Sequence, residues 1–272
     1  MSPPQTGTIS KRYAPYVSRA GRHLFSIGIE TEDRQGLLAE ISAALAGASL
    51  NVIAFTGAAS GVKGDHATLS FIGETESDAV DPSALQRSLA AIPSVLHVEV
   101  EPGRDGVIIE SLYPLYSGTG RRAILVSLEP LRDMLARVQE TLGSGGSVLL
   151  YTEGKAFGDS AWSRVIQHVD GDWAPRHLDY LAGMLTALGW GRTGVTKMEA
   201  EQSTATVRLE GCMECFERRS PVIACQFVRG VVESLFTAVW KRPVTSAEVR
   251  CSGRGDDVCE FRISPGEPST DR

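Results

Sequence analysis

The chain has no cysteine before position 212, no histidine after position 177 and no long apolar run. A membrane-spanning helix needs roughly 20 mostly apolar residues, so none is expected. Met1 to Gly7 (MSPPQTG) lacks the apolar core of a secretory leader, which places the chain in the cytoplasm. That compartment disfavours structural disulfides. Positive charge is also scarce: 27 Lys and Arg stand against 33 Asp and Glu, a net charge of −6. Basic clusters stop at the pairs Arg121-Arg122 and Arg218-Arg219, so no direct nucleic-acid contact is expected. Gly-x-Ser-x-Gly, His-Glu-x-x-His and phosphate-binding glycine motifs are missing. Residues 143–146 (GSGG) follow an expected helix and precede an expected strand, the wrong order for a phosphate cradle. The histidines at 23, 66, 97, 168 and 177 are scattered, and no catalytic residue is assigned. No repeat, low-complexity tract, helix-turn-helix or ATPase module is present, so any output passes through a separate protein or a target enzyme.

What remains is an ordinary globular composition, 42% apolar and 22% charged. A length of 272 residues suits two domains. Residues 1–21 are polar and read as a flexible tail. Strands are expected at 23–32, 51–58, 66–74 and 95–100, with helices at 37–48 and 81–92. Asp81 can cap the second helix and Pro82 suits its first position. The order βαββαβ over 22–102 defines an antiparallel sheet with two helices on one face, the ferredoxin-like motif. After a linker at 103–116, the second half reads as helix 130–142, strand 147–152, helices 162–169 and 175–188, strand 206–211, helix 220–239 and a hairpin over 243–263. Residues 265–272 read as a second tail.

In the first unit, Asp33-Arg34-Gln35-Gly36-Leu37-Leu38 stands at a strand-to-helix turn, and Asn51 follows 15 residues after Gly36. Gly36 lets backbone approach a ligand closely, the helix start offers free N–H groups to a carboxylate, and Asn51 brings a donor and an acceptor. The bland alternative is a tight turn at Gly36 and a strand start at Asn51. Residues 23–102 resemble the ACT domain, a regulatory module that binds amino acids in many relatives. The resemblance implies a homodimer and a ligand site at Asp33, Arg34, Gly36, Leu37 and Asn51.

All five cysteines fall between Cys212 and Cys259. Cys251 and Cys259 lie symmetrically about Gly255, so a hairpin turning there sets them opposite each other. Opposed Cβ atoms sit about 4.5–5.5 Å apart, close enough to share one zinc at about 2.3 Å from each sulfur. Cys225, on the preceding apolar helix, offers a third ligand, and Cys212-Met213-Glu214-Cys215 offers several candidates for a fourth. A Cys251–Cys259 disulfide and simply packed thiols are the competing readings.

The stretch from Glu248 to Phe261 (EVRCSGRGDDVCEF) resembles the closing motif of the 4-vinyl reductase domain: E-x-x-C, a Gly-Asp turn, then C-x-F. Cys225 to Gly230 (CQFVRG) matches its helix start, and the likeness spans about residues 112–264. The resemblance implies a mixed α/β domain over 117–264, closing with a long helix and a zinc-bearing hairpin, with an internal apolar pocket. Trp162, Trp173, Trp190, Tyr151 and Tyr180 are candidate pocket liners or plain core. It also implies a zinc held by Cys225, Cys251 and Cys259 plus a glutamate, here Glu214, with Cys215 or Cys212 as substitutes. Four protein ligands close a zinc site, making it structural. The expected protein is therefore α+β, a non-catalytic sensor that binds small molecules. The alternative is an accessory subunit of a tetrapyrrole vinyl reductase, which would carry pigment and a redox cofactor.

Overall fold

A computed structural model of the chain describes residues 13–59, 66–76, 80–110, 112–117, 122–168, 178–220 and 224–267. The chain divides into two compact units, Met1–Ile124 and Leu125–Arg272.

In the first unit, β1 (Tyr16–Ser18) precedes β2 (His23–Glu32), α1 (Leu37–Gly47), β3 (Asn51–Ala59), β4 (His66–Thr75), α2 (Pro82–Ala90), β5 (Val95–Pro102) and β6 (Val107–Ile109). A four-stranded sheet runs β3-β4-β2-β5 with every neighbouring pair antiparallel. Phe25, Ile27 and Ile29 of β2 bury one face against Leu37, Ile41 and Leu45 of α1 and Leu85 and Leu89 of α2. Asp81 caps α2, its carboxylate accepting from the Ser83 N–H at 3.0 Å. The opposite face is covered as well: Leu24 and Ile72 pack with Ile108 and Val17. That cover comes from stretches whose sequence reads as tail and linker, because β1 pairs antiparallel with β6. Strands three residues long carry too little alternation to register as strands in sequence.

The second unit contains α3 (Leu128–Leu142), α4 (Ser144–His168), α5 (Leu178–Ala187), β7 (Arg192–Glu199), β8 (Thr204–Glu210), α6 (Gln226–Trp240), β9 (Val244–Arg250) and β10 (Cys259–Pro265). Its antiparallel sheet runs β7-β8-β10-β9. Residues 147–152, expected as a strand, lie inside the 25-residue α4. A short apolar run has no period that separates strand from buried helix. The helix expected at 162–169 is the end of the same element. Glycines let α4 and α6 meet backbone to backbone: a Cβ on Gly154 would stand 2.0 Å from the Phe227 carbonyl oxygen, and one on Gly230 would stand 2.2 Å from that of Tyr151. β7 is not legible in the sequence because RTGVTKME is an edge strand with little buried apolar surface. α6 starts at Gln226 rather than at 220, and residues 221–223 lie outside the described residues, as do 175–177 of the helix expected before β7. Val228, Val231, Val232, Leu235 and Phe236 of α6 join Val207, Leu209, Phe261 and Ile263 of the sheet in one core. Among the described residues no helix is long and apolar enough to cross a membrane.

Candidate metal centre

Three chain segments bring the cysteines together. Cys212 and Cys215 sit on the turn after β8, where the Cys215 N–H donates to the Cys212 carbonyl at 3.2 Å. Cys225 is the N-cap of α6. Cys251 follows β9 and Cys259 opens β10, joined by a short 3-10 turn, Ser252–Arg254, and Gly255 at φ 112°. The Asp256 carboxylate holds this turn by accepting from the Cys251 N–H at 2.8 Å.

Every thiol is buried, none more than 2% exposed. Sγ separations are 3.6 Å for Cys212–Cys225, 3.4 Å for Cys215–Cys259, 3.7 Å for Cys225–Cys259 and 3.9 Å for Cys225–Cys251. Four sulfurs at about 2.3 Å from one zinc lie about 3.8 Å from each other. The thiols thus stand at the edge length of a zinc tetrahedron. Two sets of four donors have all ligand atoms within 4.8 Å of one another: Cys212, Cys215, Cys225 and Cys259; and Cys225, Glu248, Cys251 and Cys259. Soft thiolates suit zinc above hard cations. Hydrogen bonding from Cys212 first, then from Cys225, Cys251 and Cys259, holds the Cys215 thiol well below its ordinary range.

Glu248 heads the E-x-x-C motif, yet its spacing argues against a ligand role. In a regular strand, residues three apart point to opposite faces. The β9–β10 register shifts between Glu260 and Phe261, so Arg250 pairs with Glu260 while Glu248 pairs with Phe261. This bulge reverses the alternation and buries Glu248 on the same side as Cys251. One Glu248 oxygen accepts from the Cys225 N–H at 3.1 Å; the other is buried and has no hydrogen-bond partner among the described residues. Burial, and next the Cys251 charge, raise this carboxyl to about 9. A buried, half-satisfied carboxylate beside clustered thiols fits a bound cation.

Glu214, the glutamate implied by resemblance, is not in the cluster. Its buried carboxylate accepts from the N–H groups of Phe227 and Val228 at 3.1 and 2.9 Å, closing the first turn of α6. Burial raises it to about 8, against the pull of those two donors. Its substitutes Cys212 and Cys215 both lie in the cluster.

In the first unit, the groups singled out for a ligand are largely engaged within the protein. Arg34 pairs with both oxygens of Glu40 at 2.8 and 2.7 Å and donates to Ser94 Oγ and the Pro93 carbonyl. Gly36 is the N-cap of α1 at φ 86°, Leu37 is core, and Asp33 is exposed. The Asn51 amide donates to Glu74 at 3.1 Å, and Glu74 also holds Arg19.

The expected pocket liners are mostly packing groups. The Trp162 indole donates to the Val231 carbonyl at 3.2 Å, and Tyr151 donates to Glu233 beneath the Arg229 guanidinium. Trp190 packs with Phe157 and Phe227, Tyr180 is 70% exposed, and Trp173 lies outside the described residues. A groove of about 700 Å³ is lined by Arg132, Arg137, Arg218, Arg219, Glu140 and Glu217, a charged rather than apolar wall.

Residues 205–265, which contain all five cysteines and Glu248, match the vinyl-4-reductase domain family. An uncharacterized protein of Methanocaldococcus jannaschii is 28% identical over 124 residues, which is 45% of this chain and 67% of that protein. The phenol-responsive sensory domain of the transcription activator PoxR, solved with phenol, is similar at 19% identity and a TM-score of 0.44, covering 53% of this chain and 77% of that one. A vinyl-4-reductase family protein from Methanocaldococcus jannaschii aligns at 15% identity and a TM-score of 0.39, covering 53% and 85%.

Proposed function

We propose that this protein is a non-catalytic, sensor-type regulatory protein whose second unit is organised around structural zinc. The observation that carries the reading is the buried thiol cluster: all its donors come from the protein and are closed off from solvent. A catalytic zinc keeps a coordination position for water or substrate, whereas a closed site contributes folding energy. Cys225 and Cys259 belong to both donor sets and are the ligands common to any occupancy. The vinyl-4-reductase domain match over the same residues supports a small-molecule sensory role, with an apolar or aromatic ligand. The element order of the first unit and its β3-β4-β2-β5 sheet support an ACT-like module that dimerises and takes an amino acid near Asp33, Arg34, Gly36, Leu37 and Asn51. Signal output then passes to a separate protein in the cytoplasm.

Metal analysis of the purified full chain tests the zinc, and thermal shift against amino acids and phenols tests the sensing. Zinc that is lost in Cys259→Ser, together with a ligand-dependent rise in melting temperature, is the expected result. A metal-free, well-folded chain would overturn the zinc reading. A copurifying pigment with a visible absorption band would overturn the sensory one in favour of a tetrapyrrole-linked subunit.

A further inference from the structure

We infer that this centre holds two metal ions rather than one, with Cys225 and Cys259 bridging them. The inference rests on the thiolate–zinc reading above and deepens it. Six donors converge here, two more than one tetrahedral zinc uses. They do not mix freely. The two four-donor sets share only Cys225 and Cys259, and no set among the described residues joins the Cys212–Cys215 pair to Cys251 or Glu248. That is the donor pattern of two tetrahedra sharing one edge. The shared edge is the 3.7 Å Cys225–Cys259 separation.

Each outer pair is built by its own local device. Cys212 and Cys215 are joined by the turn that links their backbones. Cys251 and Glu248 are brought to one face by the bulge in β9. A metal in the first set alone leaves the second Glu248 oxygen buried with no partner among the described residues. Such an orphan costs about 1–3 kcal/mol, and more when charged. A metal in the second set alone leaves Cys212 and Cys215, at most 2% exposed, with no counter-charge. Only double occupancy uses all six donors.

Charge leads to the same count. Five thiolates and one carboxylate carry six negative charges, and two dications reduce the buried excess to two. One dication would leave four, or would require donors to stay protonated. Thiol-rich donors select zinc or another thiophilic dication at both positions. The amide of Ser252 directed at Cys259 Sγ, at 3.4 Å, further shields a bridging sulfur.

The test is zinc counting by plasma mass spectrometry on full chain expressed with added zinc, paired with zinc X-ray absorption. The expected result is two zinc per chain, a sulfur-dominated shell, and a zinc–zinc vector at roughly 3 Å, as bonds of about 2.3 Å to the shared 3.7 Å edge require. The double variant Cys251→Ser with Glu248→Gln should keep one zinc and lose that vector. One zinc per wild-type chain would overturn the bridged centre and leave the zinc reading standing. No zinc would overturn both. Two zincs retained in the double variant would place the second ion elsewhere and also overturn the inference. Should the variant fail to fold, the wild-type count and vector still decide.

Discussion

Glu214 and Glu248 are both buried glutamates near cysteines, yet the chain gives them different tasks. Glu214 faces two N–H groups at the start of α6; Glu248 turns one oxygen to Cys225 N–H and the other to the thiols' side. Glu214→Ala should therefore cost about 1–3 kcal/mol in denaturant unfolding, through two buried amides left without an acceptor. Its zinc content should equal that of the wild type; lost zinc would return Glu214 to the coordination sphere. Tyr151 supports a pH prediction. Burial first, and then the Glu233 carboxylate it donates to, raise its pKa well above the ordinary 10.0. A raised folded-state pKa stabilises fully below pH 10 and is lost as pH climbs past it, because the unfolded chain ionises first. Stability measured from pH 9 to 11 should fall, and Tyr151→Phe should flatten that slope. An unchanged slope would mean that the phenol is not held protonated by the fold.

Among the elements, α4 is the one whose identity depends most on its partner. Its residues 147–152 carry an apolar run that fits a strand as well as a helix, and only the contact with α6 selects the helix. That contact is built on glycine. Gly154→Ala or Gly230→Ala places a methyl against a carbonyl oxygen or backbone nitrogen that cannot rotate away. Each should cost about 3 kcal/mol, at the upper end of overpacking effects, read from the denaturant midpoint. Gly183→Ala in α5 is the matched control: nothing stands within 4 Å of the added methyl. It should stabilise by about 0.5–1 kcal/mol through helix propensity. Equal effects at all three sites would refute close packing as the reason for the glycines in α4 and α6.

At the scale of the molecule, the donors all lie in the unit Leu125–Arg272, while the unit Met1–Ile124 has its own core. Calorimetry of the full chain should show two transitions. A strong chelator should lower one of them by roughly 10 °C or more, since metal-binding energy here is folding energy. The other should stay in place. A single transition that moves as a whole would show that the two cores unfold as one.

The alternation of strands and helices between His23 and Pro102, the Asp81 cap and the pairing of Cys251 with Cys259 about Gly255 are all local patterns, set by periods of 2 and 3.6 and by turn chemistry. They can be read without the fold. The cover of the first sheet's second face by Val17 and Ile108 could not be, because both come from strands too short to show a period. Nor could the ligand set. The cysteines identify themselves by residue type, but a one-residue bulge decides that Glu248 joins them, and a helix start 13 residues beyond Glu214 claims that carboxylate instead. Local sequence sets which groups are available; the non-local register of strand and helix sets which of them face the same point in space.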